Sequence, residues 1–560
     1  MDRRSPVFTD EAECQDCYKC LRACPVKAIS VAGGHAQVRA ESCIACGRCV
    51  TACPPKAKQV RDDMEAVRGL IRGGAPVAVS LAPSWVAEFP DLRPGQMVAA
   101  LRALGFAMVS ETALGARAVS AAVAQLRNVS PERLWLSTAC PSATDFVRKH
   151  RPHLLPALTP LASPALTHAR MLQAAHPGCR VVLVSPCVAK KREADEHPGL
   201  LAAAITFADL RRWWSEAGIA AQEMPDDGAF VLGPAGEGAL YPVEGGMLTG
   251  VRRHGRGDDP GLAACSGISD LDLALAGLSP EDGAMFVETL ACVGGCVNGP
   301  GMTPGGQVLR RRAQVLARPR QGDGSPVPQV ATDLAWPDLH DRADQVDERA
   351  LAAALERTGK RGREDELNCS GCGYETCRDF ARAQLAGRAE PSQCVTWMRR
   401  LAQRKANALL AAMPAGAVLV DRELRIVECN QHFARLTGVE DRCVPGAQIG
   451  DVVPFARLFR HVLDGNGDVL ERDLRLGGRV LHGSVFAVDA GQVAGAVLAD
   501  VTEPAMSRAQ VASRAKEAIE KHLATVQRIA YLLGENAAET EGLLTQIVDA
   551  YEPEGGDGAR

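Results

Sequence analysis

The 560-residue sequence holds no uninterrupted apolar run approaching the ~18 residues that a membrane-spanning helix needs, so a membrane protein is not expected. It has no excess of positive charge: 63 Lys and Arg stand against 67 Asp and Glu, a net charge of −4. Without an overall basic field, neither nucleic acid nor an anionic lipid surface is an expected partner. The opening MDRRSPVFTDEAEC has two arginines but lacks the apolar core of a secretory signal, and a cytoplasmic location is the expectation. Histidine-kinase, phosphatase and helix-turn-helix patterns are missing as well. What is present is a soluble composition, 46% hydrophobic and 23% charged, in a chain long enough for three to four folded units at roughly 150 residues each.

Twenty cysteines in a reducing compartment read as metal ligands rather than as a disulfide framework. The first eight are Cys14, Cys17, Cys20 and Cys24-Pro25, then Cys43, Cys46, Cys49 and Cys53-Pro54. These are two copies of C-x2-C-x2-C-x3-C-P. Three closely spaced thiolates wrap one face of a four-iron cubane, and the fourth of each run crosses to the other cluster. Cys14, Cys17, Cys20 and Cys53 are therefore expected on one [4Fe–4S] centre, and Cys43, Cys46, Cys49 and Cys24 on the other. Residues 10–60 resemble a bacterial two-cluster ferredoxin. A zinc site needs four ligands and would not call for the doubled pattern.

A further set lies at Cys369, Cys372, Cys377 and Cys394, spaced C-x2-C-x4-C-x16-C. Glycines 371 and 373 allow the backbone close to a cubane, and the helical periodicity of RDFARAQLA would return the last thiolate to the first three. The segment resembles the small four-cysteine iron–sulfur domain of corrinoid-linked and redox-sensing proteins. Zinc is the competing occupant, because four cysteines alone suit it too.

Cys140, Cys187, Cys292 and Cys296 are scattered, each within a Gly/Pro-bearing segment: STACPSA, LVSPCVAKKRE and ETLACVGGCVNGPG. VAVSL (77–81) and RVVLVS (180–185) read as buried parallel strands followed by helices, and ligands bind beyond the carboxyl ends of such strands. Residues 75–315 resemble the catalytic domain of iron-only ([FeFe]) hydrogenases, with further likeness in SLAPSW, GQMVAALRALGF and YPVEGGML. The resemblance implies that Cys140, Cys187, Cys292 and Cys296 ligate a cubane, with Cys296 bridging to a diiron subsite that carries CO and cyanide. It implies that Lys190 donates to an iron-bound cyanide, and that Ala82, Pro83 and Ser84 line the bridging dithiolate.

The departures from that family matter as much. Ala139 occupies the place of the cysteine that passes protons to the diiron bridgehead, and GARAVSAAVAQL (115–126) offers Ala and Val where the family's proton path has acidic residues. Ser185 and Leu290 replace methionines that pack against the site. Because a methyl group relays no proton, and general acid–base groups contribute on the order of 10²- to 10⁴-fold, slow turnover is expected. The pattern resembles the sensory branch of the family.

After the loop-forming GDGSPVP (322–328), residues 405–502 resemble a PAS domain. Strands flank 421–423, Asn430 caps a helix with Phe433 and Leu436 inward, and RVLHGSVFAV and AGAVLADV supply later strands beyond Gly477 and Gly478. His432 is read as a surface or packing residue rather than a haem ligand, and Cys179, Cys265, Cys429 and Cys443 as small hydrophobes. Ala515, Ile519, Leu523, Val526, Ala530 and Leu533 draw an apolar helical stripe, interrupted at Gly534, that packs on the PAS domain or on a partner; the tail from 551 is expected to be disordered.

The expected fold is multidomain α/β: a ferredoxin-like domain (1–62), an α/β hydrogenase-type domain (75–315), a linker (316–360), a four-cysteine domain (361–400), an α+β PAS domain (405–502) and a helical output segment (506–550). The expected cofactors are four [4Fe–4S] clusters and a diiron subsite. The expected function is a hydrogen or redox sensor whose partners are dissolved H2, an electron-carrier ferredoxin, a downstream kinase or phosphatase, and a second copy through the PAS and C-terminal helix. A slow hydrogenase and an iron–sulfur redox sensor without the diiron unit are the rivals.

Overall fold

The computed structural model describes residues 5–234, 236–305, 307–318, 328–340, 347–465, 469–476, 478–489, 491–502, 516–522 and 524–525. Gly477, most of the 322–328 loop, the tail, and Ala515, Leu523, Val526, Ala530, Leu533 and Gly534 of the expected stripe lie outside them; Ile519 falls in a short helix at 516–522. The chain divides into two units, Met1–Gln393 and Cys394–Arg560. No helix among the described residues is long and apolar enough to cross a membrane.

The doubled cysteine run folds as a doubled structure. Strand β1 (Val7–Thr9) pairs antiparallel with β4 (Lys58–Val60), and β2 (Ile29–Ala32) with β3 (His35–Val38). Two five-residue helices, Lys19–Ala23 and Arg48–Ala52, each start from a left-handed residue, Tyr18 (φ 53°) and Gly47 (φ 74°). They end on Cys24 and Cys53 with nearly the same backbone angles, φ −78° and ψ 113° against φ −79° and ψ 110°. Helices this short have no stability of their own, so tertiary contacts and ligand geometry must hold them.

The next seven strands form two parallel sheets. β5 (Val77–Leu81), β6 (Met108–Glu111), β8 (Arg180–Ser185) and β9 (Ala203–Thr206) lie in the order β6-β5-β8-β9. β7 (Trp135–Leu136), β10 (Leu262–Ser266) and β11 (Phe286–Leu290) lie in the order β10-β11-β7. The apolar runs at 77–81 and 180–185 are buried strands, as helix-covered parallel sheets require. The stretch expected to link domains is closely held where it is described. Leu334 N donates to Pro160 O (3.0 Å), Trp336 Nε1 to Thr159 O (3.1 Å) and Leu339 N to Arg148 O (3.2 Å). Beyond it the helix Glu348–Arg357 packs Leu351, Ala354 and Leu355 against Cys377 and Ala381 of the helix Cys377–Leu385.

In the second unit, β12 (Gly416–Asp421), β13 (Ile426–Cys429), β14 (Val469–Leu476), β15 (Arg479–Asp489) and β16 (Val493–Asp500) form one antiparallel sheet in the order β13-β12-β16-β15-β14. Phe433, fully buried, and Leu436 of the helix Gln431–Thr437 pack into its core, and His432 is exposed. Asn430 is the hub. Its Oδ1 accepts from Phe433 N (2.9 Å) and Ala417 N (2.9 Å), and its Nδ2 donates to Leu410 O (2.9 Å) and Ala415 O (2.8 Å). Asn430→Ala removes a helix cap and strands buried backbone groups, an expected loss of about 2 kcal/mol or more. Hydrogen–deuterium exchange should speed up across 416–437 and stay unchanged across 77–111.

Candidate metal centres

Among the ferredoxin thiols, Cys20 has Cys14 and Cys53 as neighbours, and Cys46 and Cys49 have Cys24 and Cys43. Burial raises the Cys20 thiol pKa, Lys58 opposes the rise, and charge on Cys53 and Cys14 adds to it. Burial pushes Cys49 well up, with Cys24, Cys46 and Cys43 adding to the effect. Cys46 is pushed to about 12, again by burial first and then by Cys24 and Cys43 against the opposing Arg48. Cys24 and Cys53 thus stand beside the opposite run's thiols. Cys17 is exposed. Such thiols stay protonated at neutral pH unless a metal displaces the proton, so the donor chemistry fits iron–sulfur clusters.

The four scattered cysteines meet. Cys140 caps the helix that follows β7, Cys187 follows β8 and Cys292 follows β11, each at the carboxyl end of a parallel strand. With Cys296 they wall one cavity of about 370 Å³, counting its open mouth. Burial raises Cys187 to about 11, with Cys140 adding to the rise and Lys190 opposing it. Cys292 and Cys296 are raised further, again by burial first, then by Cys187, Cys296 and Cys140 at Cys292, and by Cys140 and Cys187 against the opposing Lys190 at Cys296. Leu290 lines the cavity, and Ser185 Oγ accepts from Cys187 N (3.3 Å). Cys46 of the ferredoxin run is on the same wall, a neighbour that local spacing could not reveal.

Lys190, Ala82, Pro83, Ser84 and Ala139 are not on that wall. The Lys190 ammonium donates to Glu193 Oε2 (2.6 Å) and Ser163 Oγ (2.9 Å), which leaves one of its three N–H groups. Glu193 follows Lys190 by three residues on one helix, a signal available in the sequence; Ser163 gave none. The Ser84 hydroxyl is buried without a hydrogen-bond partner among the described residues. Ala139 N donates to Ser137 Oγ (3.2 Å). In the helix Ala113–Val129, Val119, Val123 and Ala124 are buried, and Ser120 Oγ lies 2.9 Å from Tyr241 OH.

Two cations fasten the ferredoxin part to this domain. Lys149 Nζ and Arg192 Nη1 donate to the Cys43 carbonyl at 2.8 and 2.7 Å. Between Cys46 and Cys49, Gly47 lies so close to Pro300 that a Cβ there would be 2.6 Å from Pro300 Cγ. In the small domain, Cys377 N donates to Asn368 Oδ1 (2.8 Å), Cys377 is buried, Cys369 is exposed and Cys372 is half-buried. Cys394, the first residue of the second unit, is buried with Sγ 3.4 Å from Thr396 Oγ1. Among the remaining thiols Cys179 and Cys443 are buried, and Cys265 and Cys429 half-buried.

Four family models match parts of the chain. Residues 75–300 match the family described as iron only hydrogenase large subunit, C-terminal domain. Residues 6–54 match a 4Fe-4S dicluster domain, 365–396 a putative Fe-S cluster and 404–473 a PAS domain. The protein is a multidomain α/β iron–sulfur protein that joins a ferredoxin-like and a hydrogenase-like domain to a PAS domain. Iron hydrogenase 1 of Clostridium pasteurianum is 26% identical over 285 residues, 40% of this chain and 50% of that protein. The chain thus matches about half the length of this curated relative. An [FeFe]-hydrogenase from Chlamydomonas reinhardtii is 20% identical, covering 46% of this chain and 88% of its own, with a TM-score of 0.38. A PAS domain of an HTR-like protein from Haloarcula marismortui is 19% identical over 18% of this chain and 99% of its own, with a TM-score of 0.16.

Glu288, on β11, was not singled out by its sequence context. Its carboxylate accepts from Gly245 N (2.9 Å) and Met247 N (3.2 Å), and burial lifts its pKa to about 7. A carboxyl raised in the folded state contributes stability that is complete below its unfolded value and is lost as pH rises through the folded one. Between about pH 4.5 and 7 the protein should lose up to about 3 kcal/mol. Urea unfolding followed by tryptophan fluorescence should show this slope, and Glu288→Gln should flatten it.

Proposed function

We propose that the protein is a cytoplasmic hydrogen or redox sensor related to [FeFe] hydrogenases, with an attenuated H-cluster site that signals through its PAS domain to a separate regulator. The observation that carries this reading is the convergence of Cys140, Cys187, Cys292 and Cys296 on one cavity shared with Cys46. Those four thiols would hold a cubane, and Cys296 would bridge it to a diiron subsite. Four clusters in all are proposed: two on the crossed ferredoxin sets, one in this cavity, and one on Cys369, Cys372, Cys377 and Cys394. When bound, the diiron unit supplies reversible chemistry on H2.

The chain's own residues set how well that chemistry runs. Lys190, oriented by Glu193 and Ser163, keeps one N–H for an anionic ligand. Ser84 brings a buried hydroxyl that needs a partner. Ala139, between Thr138 and Cys140, supplies no proton, so access to the site is slow and its state can be read out rather than turned over. Electrons would enter from a ferredoxin at the exposed Cys17 side and pass through the Cys46 side into the cavity. Output to a kinase or phosphatase, through a PAS dimer, belongs to the same proposal.

Infrared spectra of anaerobically matured protein should contain metal-bound CO and cyanide bands; their absence would favour a redox sensor without the diiron unit. Ala139→Cys should raise H2 turnover on the order of 10²-fold in a gas-uptake assay. Wild-type turnover already as fast as that of a hydrogenase with the relay cysteine would contradict attenuation.

A further inference from the structure

Tyr374 has no role in the chemistry above, yet it is buried, and its ring packs on Phe380 with centroids 5.7 Å apart. Its hydroxyl is shut away from solvent with no hydrogen-bond partner among the described residues. A buried hydroxyl is costly to leave unpaired, so one that persists points to an acceptor. Cys372 is two residues before it.

The turn that carries Tyr374 is seated on the ferredoxin helix Lys19–Ala23. Gly373 has φ +92°, and a Cβ there would lie 2.8 Å from Leu21 Cγ and 3.5 Å from Arg22 N. Leu21 and Arg22 sit between Cys20 and Cys24. Two hydrogen bonds extend the contact, Val31 N to Arg388 O (3.0 Å) and Gly33 N to Glu390 Oε1 (2.7 Å). The small domain is thus held against the ferredoxin part at a stretch flanked by two cysteines of the crossed sets.

We propose that this contact is an electron-transfer junction: Tyr374 donates its hydroxyl hydrogen bond to a cluster sulfur where the Cys372–Tyr374 turn meets the Cys20–Cys24 stretch, and the two clusters exchange electrons there. The inference rests on the cluster-loaded reading above. One electron leaves a reduced four-iron cluster as the other cluster gains it; no proton moves and no bond is made or broken. The electron is supplied by a one-electron ferredoxin-type carrier. Because Cys46 is proposed to share a cluster with Cys24 and also lines the hydrogenase-type cavity, the junction extends the relay from that cavity to the small domain. Tyr374 acts as a positioning and tuning residue, since hydrogen bonds to sulfur help set cluster potentials.

The test uses full-length protein reconstituted anaerobically, with iron and sulfide counted, then reduced with dithionite for electron paramagnetic resonance and redox titration. Expected are signals broadened by magnetic interaction between neighbouring reduced clusters. Gly373→Val should reduce the broadening to that of a Cys372→Ala/Cys377→Ala variant, in which only the other clusters interact, with iron content retained. Tyr374→Phe keeps the ring packing, and it should lower one cluster's midpoint potential. Full iron content with broadening no greater than in the Cys372→Ala/Cys377→Ala variant, or an unchanged potential in Tyr374→Phe, would overturn the junction. Equal iron content in wild type and a Cys372→Ala/Cys377→Ala double variant would show that this site carries no cluster, and would overturn the underlying reading along with the junction.

Discussion

Thiols that would repel one another once ionised are gathered in the interior, and the rest of the architecture answers to that constraint. At Cys187, Cys292 and Cys296, as at Cys24, Cys46 and Cys49, burial is the largest cause of the raised pKa and neighbouring thiols add to it. A protein without metal gains nothing from such an arrangement. A metal cluster reverses the balance by taking the thiolates as ligands, so that cluster binding contributes folding free energy. The strands supply the rigid half of each site: three of the four cavity cysteines follow the carboxyl ends of parallel strands, and Cys296 follows Cys292 through a Gly-Gly turn.

Proximity between sites rests on two glycines that use the same device. Gly47 and Gly373 both have positive φ, and each lies where a side chain would strike the neighbouring domain, Pro300 in one case and Leu21 in the other. Each is next to a cysteine proposed as a ligand. Lys149 and Arg192 reinforce the first contact by meeting the Cys43 carbonyl, and the buried Lys191, paired with Asp63 and Asp209, ties the connecting segment to the hydrogenase-type domain. Removing one partner of such a buried pair leaves an uncompensated charge, which makes these contacts strict in register.

What could be read from the sequence followed locality. The doubled cysteine run from which the crossed ferredoxin sets are proposed lies within 40 residues, and the parallel strands at 77–81 and 180–185 are marked by short apolar runs. The four cavity cysteines were recognisable through family resemblance, because no local pattern joins Cys140 to Cys292. Strand β14 was overlooked: Leu470, Leu474 and Leu476 interleave with Glu471, Asp473 and Arg475, a pattern that also suits a helix. Contacts bridging more than 100 residues, such as Lys149 and Arg192 on Cys43, or Cys46 on the cavity wall, leave no periodic trace. Tyr374 had a cue in its place beside Cys372 and Gly373, but only the fold shows its hydroxyl buried and unpaired.

The central claim is that Cys140, Cys187, Cys292 and Cys296 hold one cluster of their own beside the ferredoxin clusters. Mössbauer spectra of iron-57-reconstituted protein test it most directly, with wild type set against a Cys187→Ala/Cys292→Ala double variant. The account predicts the loss of one cubane's worth of iron, with the remaining cluster signals intact. Unchanged iron content and spectrum in the double variant would contradict it.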